Sequence, residues 1–452
     1  MSSSTFVLAA TVAAGLFAST ATAAFNAAAS NNVAMYWGQG NAQIPLSQVC
    51  NDASIDIVNI AFVNQFPLKV GDYPSTNFAN ACGDATFTKP DGTKSGLLSS
   101  CPSIGPGIKE CQANGKKVLL SIGGGYPINY TLPSPAVAEY FAEFLWGAFG
   151  PSTAAWVNAG KPRPFGDASV DGFDLDIEAL INPAPFPDYL FANYDKFVAR
   201  LKNGLFPSGP GPYYISAAPQ CNVPDVRLAS AISKSHFDFI FTQFYNTPEC
   251  STRAGYNGLS TATTTFTFTK WVDWLKANSL NKNVKLYLGM PAGVDGAPND
   301  TPATLTPTEA NALLKFYKNK HADIFGGAML WEATVSAKNT KCQKGYSSWI
   351  KDILLGKFTN EVCPSSSSTI ASSTSSRISS TSSSASATPT ATKPTPDGTC
   401  GGTTGYTCIG YVLGECCSQW GYCGSTTDHC GPFIDCPKLN KQPVIVGVKL
   451  CV

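Results

Sequence analysis

Four acids at fixed spacing raise the question of chemistry: Asp171, Asp174, Asp176 and Glu178 lie in the run Asp171-Gly172-Phe173-Asp174-Leu175-Asp176-Ile177-Glu178. Apolar residues alternate with the last three acids, and alternation at period two marks a strand. Side chains leave a strand on opposite faces, so Phe173, Leu175 and Ile177 point one way and Asp174, Asp176 and Glu178 the other. A solvated strand can also carry acids, but its wet face usually mixes in Lys, Ser or Thr, and this face has acids alone. Successive positions on one face are about 6.6 Å apart. Each of the last two carboxylates therefore feels its neighbour's charge, and at least one pKa is expected to rise. A carboxyl group raised in this way keeps its proton near neutral pH and can act as a general acid.

An acid-lined strand needs neighbours to enclose it. Short β-branched or aromatic runs predict strands at Val33 to Trp37, Asp56 to Phe62, Lys117 to Ile122, Gly172 to Ile177, Tyr213 to Ala217, Phe237 to Phe244, Val284 to Met290 and Gly327 to Trp331. Helices are expected at Pro135 to Phe149, Tyr189 to Leu205, Phe268 to Asn278 and Pro307 to Lys318. Eight strands alternating with helices argue for a parallel barrel over residues 25–364, although an open doubly wound sheet gives the same alternation.

The remaining sequence bounds the class of protein. Residues 1–23 combine an apolar run with Ala21-Thr22-Ala23, a small-residue cleavage pattern, and are expected to be a secretory signal peptide. The run is too short to span a bilayer, so no membrane partner is expected. Sixteen cysteines form an even set, which in a secreted chain reads as disulfides rather than metal ligands. Eight lie between Cys50 and Cys363 and eight between Cys400 and Cys451, which separates a large domain with its own core from a small one that needs covalent staples. Residues 365–397 are dominated by Ser and Thr and end Pro-rich, the composition of a disordered, O-glycosylated linker. Asn129 and Asn299 open N-glycosylation sequons, which permit modification without requiring it. A net charge of +1 gives no electrostatic case for nucleic acid. His236, His321 and His429 are scattered without metal-ligand spacing, and Ser121 to Gly125 lacks the Lys-Ser or Lys-Thr of a phosphate loop, so no cofactor or metal is expected.

The acidic run matches the DxxDxDxE signature of family-18 glycoside hydrolases. That resemblance implies a (β/α)8 TIM barrel with this run as its fourth strand and Glu178 at the C-terminal end, where barrel enzymes place their chemistry. It also implies a retaining, substrate-assisted mechanism in which the sugar's own 2-acetamido oxygen attacks the anomeric carbon. By the same resemblance Glu178 is the acid and then the base, Asp176 holds the acetamido N–H, and Asp174 shares a proton or hydrogen bond with Asp176. Asp171 is assigned to shaping the strand entrance.

Tyr36-Trp37-Gly38-Gln39, Val58 to Phe62, Ser121 to Gly125, Ala217 to Gln220, Gln243-Phe244-Tyr245-Asn246 and Met329-Leu330-Trp331 are similar to stretches of plant and fungal class III chitinases. The similarity implies pairs Cys50 with Cys111, Cys82 with Cys101 and Cys221 with Cys250, which leaves Cys342 with Cys363. It gives Tyr245 the role of steadying the acetamido group, although an ordinary buried tyrosine would look the same. Trp331 is expected to floor the sugar, with core packing as its alternative, and Gln243, Gln39, Tyr36 and Tyr126 are candidate groove residues. Only about 35 residues separate Met290 from Gly327, too few for the wall-building insertion of some relatives. An open, shallow cleft that cuts within a chain is therefore expected.

Cys416-Cys417-Ser418-Gln419-Trp420-Gly421-Tyr422-Cys423-Gly424 resembles the core of a hevein-type chitin-binding module, here residues 398–452. The resemblance implies pairs Cys400 with Cys417, Cys408 with Cys423, Cys416 with Cys430 and Cys436 with Cys451. It places sugar contacts at Ser418, Trp420, Tyr422 and His429, where the family carries an aromatic Tyr. Together the two resemblances imply a monomeric, secreted endochitinase, extracellular or in the cell wall, that acts on chitin and chito-oligosaccharides. An endo-β-N-acetylglucosaminidase acting on N-glycan cores and a non-catalytic chitin lectin are the alternatives.

Overall fold

In the computed structural model of the chain, eight parallel strands close on themselves. They are β1 (Asn32–Trp37), β2 (Ile57–Gln65), β3 (Lys117–Gly124), β4 (Gly172–Ile177), β5 (Tyr214–Ala217), β6 (Phe239–Gln243), β7 (Lys285–Pro291) and β8 (Phe325–Trp331). Each pairs in parallel with the next, and β8 returns to β1 in the register Asn32↔Gly327 to Met35↔Leu330. Closure rules out the open doubly wound sheet and makes the fold a (β/α)8 barrel. The structure describes residues 25–126, 128, 130–178, 191–261, 263–361 and 363, with 393–395, 400, 406–408, 416–417 and 423–424 toward the C-terminus.

Alternation along each strand divides the side chains between two layers. Met35, Val58, Ile60, Leu120, Phe173, Leu175 and Ile177 face outward and share one apolar cluster with Phe141, Leu145, Phe197, Trp271 and Leu313 of the surrounding helices. Ala34, Ala61, Leu119, Phe239, Phe241, Tyr287 and Met329 form a separate inner cluster. The helices begin where the sequence supplies caps. Ser134 accepts the Val137 amide with Pro135 in the first turn of Pro135–Phe149, and Thr306 and Glu309 form a reciprocal capping box on Pro307–Lys320. The helix expected from Tyr189 to Leu205 is α-helical over Tyr194–Ala199 and π-wound over Arg200–Leu205, with Gly204 inside the π turn and Pro207 after it, while residues 189 and 190 lie outside the described set.

Three aspartates fasten the amino-terminal end of the barrel in the same way. Asp56, Asp171 and Asp238 each precede an even-numbered strand, and each carboxylate accepts an amide from the odd-numbered strand before it: Val33 at 2.7 Å, Val118 at 2.9 Å and Ile215 at 2.7 Å. Each backbone returns the bond, from Asp56, Asp171 and Asp238 amides to the carbonyls of the same three residues. Each carboxylate also meets a lysine, respectively Lys351, Lys117 and Lys202. Asp171 thus ties the entrance of β4 to β3, at the opposite end of the strand from Glu178.

Between β2 and the helix Ile104–Ala113 the chain makes an excursion that strand periodicity did not predict. Ser75–Thr76 pairs antiparallel with the end of β2, and Thr86–Thr88 forms a hairpin with Lys94–Leu98. The signal was present in Pro90-Asp91-Gly92, a turn sequence in which Gly92 takes φ +83°. The three barrel disulfides implied by resemblance, Cys50–Cys111, Cys82–Cys101 and Cys221–Cys250, are formed, as is Cys342–Cys363, the pair they leave over.

The described residues fall into two compact units, one within residues 1–367 and one within 368–452. In the second, Cys416–Cys417 pairs antiparallel with Cys423–Gly424, Cys408 is bonded to Cys423, and buried Cys400 is disulfide-bonded. The partner expected for Cys400 and the pairs Cys416 with Cys430 and Cys436 with Cys451 involve side chains outside the described set. The signal segment and most of the linker also lie outside it.

Candidate active site

The carboxyl ends of the strands surround a cavity of about 320 Å³. Glu178, just past β4, faces it together with Gln243, Tyr245 and Asn246 from β6 and its exit, Trp331 from β8, Gln39 from beyond β1, and Phe62 and Asn64 from β2. Gly123, Gly125 and Tyr126 complete the wall after β3. Within Ser121 to Gly125, Gly123 and Gly124 serve close approach. Gly123 sits at φ +111°, and a Cβ there would lie 2.1 Å from the Asp176 carbonyl oxygen.

The three acids of β4 occupy successive depths. Asp174 is fully buried, and its carboxylate accepts three hydroxyls at 2.6 Å each, from Tyr36, Ser121 and Ser216. Burial raises its pKa while those three bonds oppose the rise. Asp176 is also buried; its Oδ1 accepts Gln243 Nε2 at 2.8 Å, and the same nitrogen reaches the Ala218 carbonyl at 3.1 Å. Glu178 is partly open to the cavity and hydrogen-bonds with Asp176 and Gln243. Burial raises both pKa values, that of Asp176 strongly, with the Glu178 charge as the next cause for Asp176. A hydrogen bond joins Asp176 to Glu178. Asp174 is engaged by its three hydroxyl donors, and its charge is a further cause of the rise at Asp176.

The other candidates separate into wall and foundation. Tyr245 is almost wholly buried yet reaches the cavity wall, and burial followed by the Glu178 charge raises its hydroxyl pKa well above the ordinary value. Trp331 is partly exposed on the wall and is backed by Phe62, stacked at a centroid distance of 6.0 Å, and by Tyr36 at 5.4 Å. Gln39 donates to the carbonyls of Ala61 and Asn77 at 3.0 and 2.9 Å. Tyr36 is placed beneath the cavity, with its hydroxyl committed to Asp174, and does not line the wall. Glu332, beside Trp331, is spent on accepting the amides of Thr334 and Val335.

Several site residues were missed in the sequence. Ser121 and Ser216 are small polar positions in apolar strands, and their inward period-two phase was the available signal. Asn246 sits on the wall in a left-handed conformation at φ +60°, its amide received by Asp300. Arg227 places a positive charge that acts on both Asp176 and Glu178. Nothing local in the sequence distinguishes it from a surface arginine. Ser418, Trp420, Tyr422 and His429 lie outside the described residues.

Residues 32–362 match the model for glycosyl hydrolases family 18. The chain belongs to this family. Residues 398–440 match the chitin recognition protein family. The family-18 barrel is similar to Endochitinase A of Aspergillus niger, 46% identical over 353 residues that make up 77% of this chain and 27% of that one. The chain spans 27% to 40% of the length of the first curated relatives it matches. Among solved structures, a chitinase from Ipomoea carnea superposes with a TM-score of 0.55 at 30% identity, covering 71% of this chain and 99% of that one. A xylanase and α-amylase inhibitor protein from Scadoxus multiflorus superposes with a TM-score of 0.50 at 27% identity, covering 73% and 100%. Proteins named as enzyme and as inhibitor share this barrel, so activity has to be argued from the acids.

Proposed function

We propose that the chain is a secreted endochitinase that hydrolyses internal β-1,4 N-acetylglucosamine linkages with retention, anchored to insoluble chitin by its C-terminal module. One observation carries the reading: among the described residues lining the cavity, Glu178 is the single carboxylate, and it is coupled to Asp176 beneath it. Glycosidases that use two protein carboxylates place them on opposite sides of the bond. One acid on the described wall supports a nucleophile supplied by the substrate, and a 2-acetamido oxygen is within reach of its own anomeric carbon.

In the proposed sequence Glu178 donates its proton to the leaving glycosidic oxygen as the C1–O bond breaks and the acetamido oxygen bonds to C1. The resulting oxazolinium ion is stabilised by the Asp176 carboxylate, which accepts the acetamido N–H, while the Tyr245 hydroxyl donates to the acetamido oxygen. Glu178, now a base, takes a proton from the water that opens the ring, and the product keeps its anomeric configuration. Gln243 fixes Asp176, and Trp331 offers an apolar face to the sugar. Secretion is supported by the leader-like residues 1–23 and by four formed disulfides in the barrel. Among the described residues no helix is long and apolar enough to cross a membrane.

The test is incubation of the full chain with defined chito-oligosaccharides and with core N-glycans, following products and their anomers by NMR from the first minute. Internal cleavage of the chito-oligosaccharides with β-anomer released first is expected. Initial α-anomer would overturn the mechanism, cleavage of N-glycan cores alone would favour the endo-β-N-acetylglucosaminidase reading, and binding without cleavage would make the protein a lectin. The chitin recognition match favours chitin over N-glycan cores.

A further inference from the structure

Behind the acid pair, the loop leaving β5 carries a cation built into its turn. Asp225 is buried and accepts the amides of Arg227 at 2.9 Å, Leu228 at 2.8 Å and Gln220 at 3.3 Å, which shapes residues 220–228 into a tight return before the helix Ala229–Lys234. The Arg227 side chain is 13% exposed, donates to Gln220 Oε1 at 3.2 Å and stands 3.9 Å from the Asp225 carboxylate. Its Nε is buried without a partner. Gln220 forms a parallel bridge with Gln243, whose amide also donates to the Pro219 carbonyl at 2.8 Å. Gln243 is the residue that holds Asp176. A continuous set of contacts thus runs from Asp225 through Arg227, Gln220 and Gln243 to Asp176.

A half-buried cation is costly to desolvate unless it is paired and hydrogen-bonded. Arg227 lacks a close carboxylate partner of its own, since 3.9 Å to Asp225 is an ion pair without a direct hydrogen bond. It does not line the cavity. Its positive charge favours the ionised forms of Asp176, Glu178 and Asp225. The other titratable groups that act on this acid pair, or on which it acts, are Asp174 from β4, Tyr36 from β1, Tyr130 from beyond β3 and Tyr245 from beyond β6.

We propose that Arg227 is a positioning residue for the acid pair, holding Gln243 against Asp176 through Gln220 and keeping a fixed positive charge beside Asp176 and Glu178. The inference rests on the reading of these two acids as the working groups. The charge favours a pair that carries one proton and one negative charge, the state in which Glu178 can donate while Asp176 receives the acetamido N–H. Without it, burial and mutual repulsion favour the doubly protonated pair over a wider pH range.

The test compares Arg227→Met, close in size and uncharged, with Arg227→Lys, which keeps the charge. The free-enzyme pH profile of kcat/KM on a soluble chito-oligosaccharide reports the ionisations of the acid and base. In Arg227→Met both limbs are expected to move to higher pH by about 1 unit, the low end for loss of a nearby opposite charge, so that activity on the acid side falls roughly tenfold. Arg227→Lys should return the limbs most of the way. In parallel, the full chain with ¹³C-labelled Asp and Glu carboxyls is titrated by NMR, with Asp176→Asn and Glu178→Gln used for assignment. Both carboxyl titrations should move upward in Arg227→Met. Unmoved limbs and unmoved titrations, whatever the change in rate or stability, would overturn the proposal. If the parent cleaves no chito-oligosaccharide, the functional reading fails and the carboxyl titrations alone decide the role of Arg227. Should Arg227→Met not fold, Arg227→Gln takes its place, since it is uncharged and keeps a donor toward Gln220.

Discussion

Replacing Glu178 with Gln should abolish turnover and make the protein more stable at neutral pH. The side chain keeps its shape and can still bond to Asp176 and Gln243, but it has no acid proton to give, and a positioned general acid contributes about 10² to 10⁴ in rate. The stability effect follows from linkage. Burial raises the folded-state pKa of Glu178 and of Asp176 above their unfolded values. A carboxyl group raised in this way contributes its stability below the unfolded pKa, near 4, and loses it as pH rises through the folded value. At pH 7 the ionised pair is therefore a cost that Gln removes, partly by lowering the repulsion felt by Asp176. Each unit of upward shift is worth about 1.4 kcal/mol. Because Glu178 opens partly to a wet cavity, solvent offsets part of that cost, and the expected gain is a modest rise in Tm at pH 7. Calorimetric melts of parent and variant from pH 4 to pH 8, beside hydrolysis of a chito-oligosaccharide, check both halves. A variant no more stable than the parent at pH 7, or a gap that fails to narrow toward pH 4, would refute the electrostatic reasoning. Turnover within about threefold of the parent would remove Glu178 from the acid role.

Trp331→Ala should raise KM for soluble oligosaccharides roughly tenfold, the equivalent of about 1.4 kcal/mol of lost stacking, with an unchanged far-ultraviolet spectrum; steady-state kinetics measure it. Tyr36→Phe removes one of the three hydroxyls on Asp174 and should cost about 1.5 to 3 kcal/mol in guanidinium unfolding at pH 7, while KM stays near the parent's because Tyr36 does not reach the wall. Asp238→Ala leaves the Ile215 amide and Lys202 without their carboxylate at the far end of the barrel and should lower stability by about 2 to 3 kcal/mol without altering kcat of the folded protein. Truncation after Pro364 should leave turnover of soluble oligomers unchanged and weaken pull-down on insoluble chitin, since tethering raises the local concentration at the solid; equal pull-down would mean that the barrel alone holds the polymer.

Local rules made much of this protein legible before any coordinates. Period two in Phe173 to Glu178 separated the apolar face from the acidic one, because the direction of a strand side chain depends only on the backbone it belongs to. The caps at Ser134 and Thr306 are equally local, and the helices begin where those residues stand. Barrel closure was open between two architectures, since strand alternation is the same in an open sheet, and only the pairing of β8 with β1 decided it. The assignment of partners was likewise beyond local reach. Tyr36 lies 138 residues from Asp174, and its hydroxyl meets that carboxylate only because closure sets β1 and β4 around one interior. The partners of Asp174 were equally out of reach: its carboxylate meets three hydroxyls from β1, β3 and β5, while Asp176 bonds to Glu178. Arg227 shows the same division: its type was visible in the sequence, but its office depends on a bridge between Gln220 and Gln243 that exists only once β5 and β6 are side by side. The chain dictates which face each acid occupies, and the register of the closed barrel dictates what each acid meets there, because contacts between strands are fixed by pairing across the fold and not by spacing along the chain.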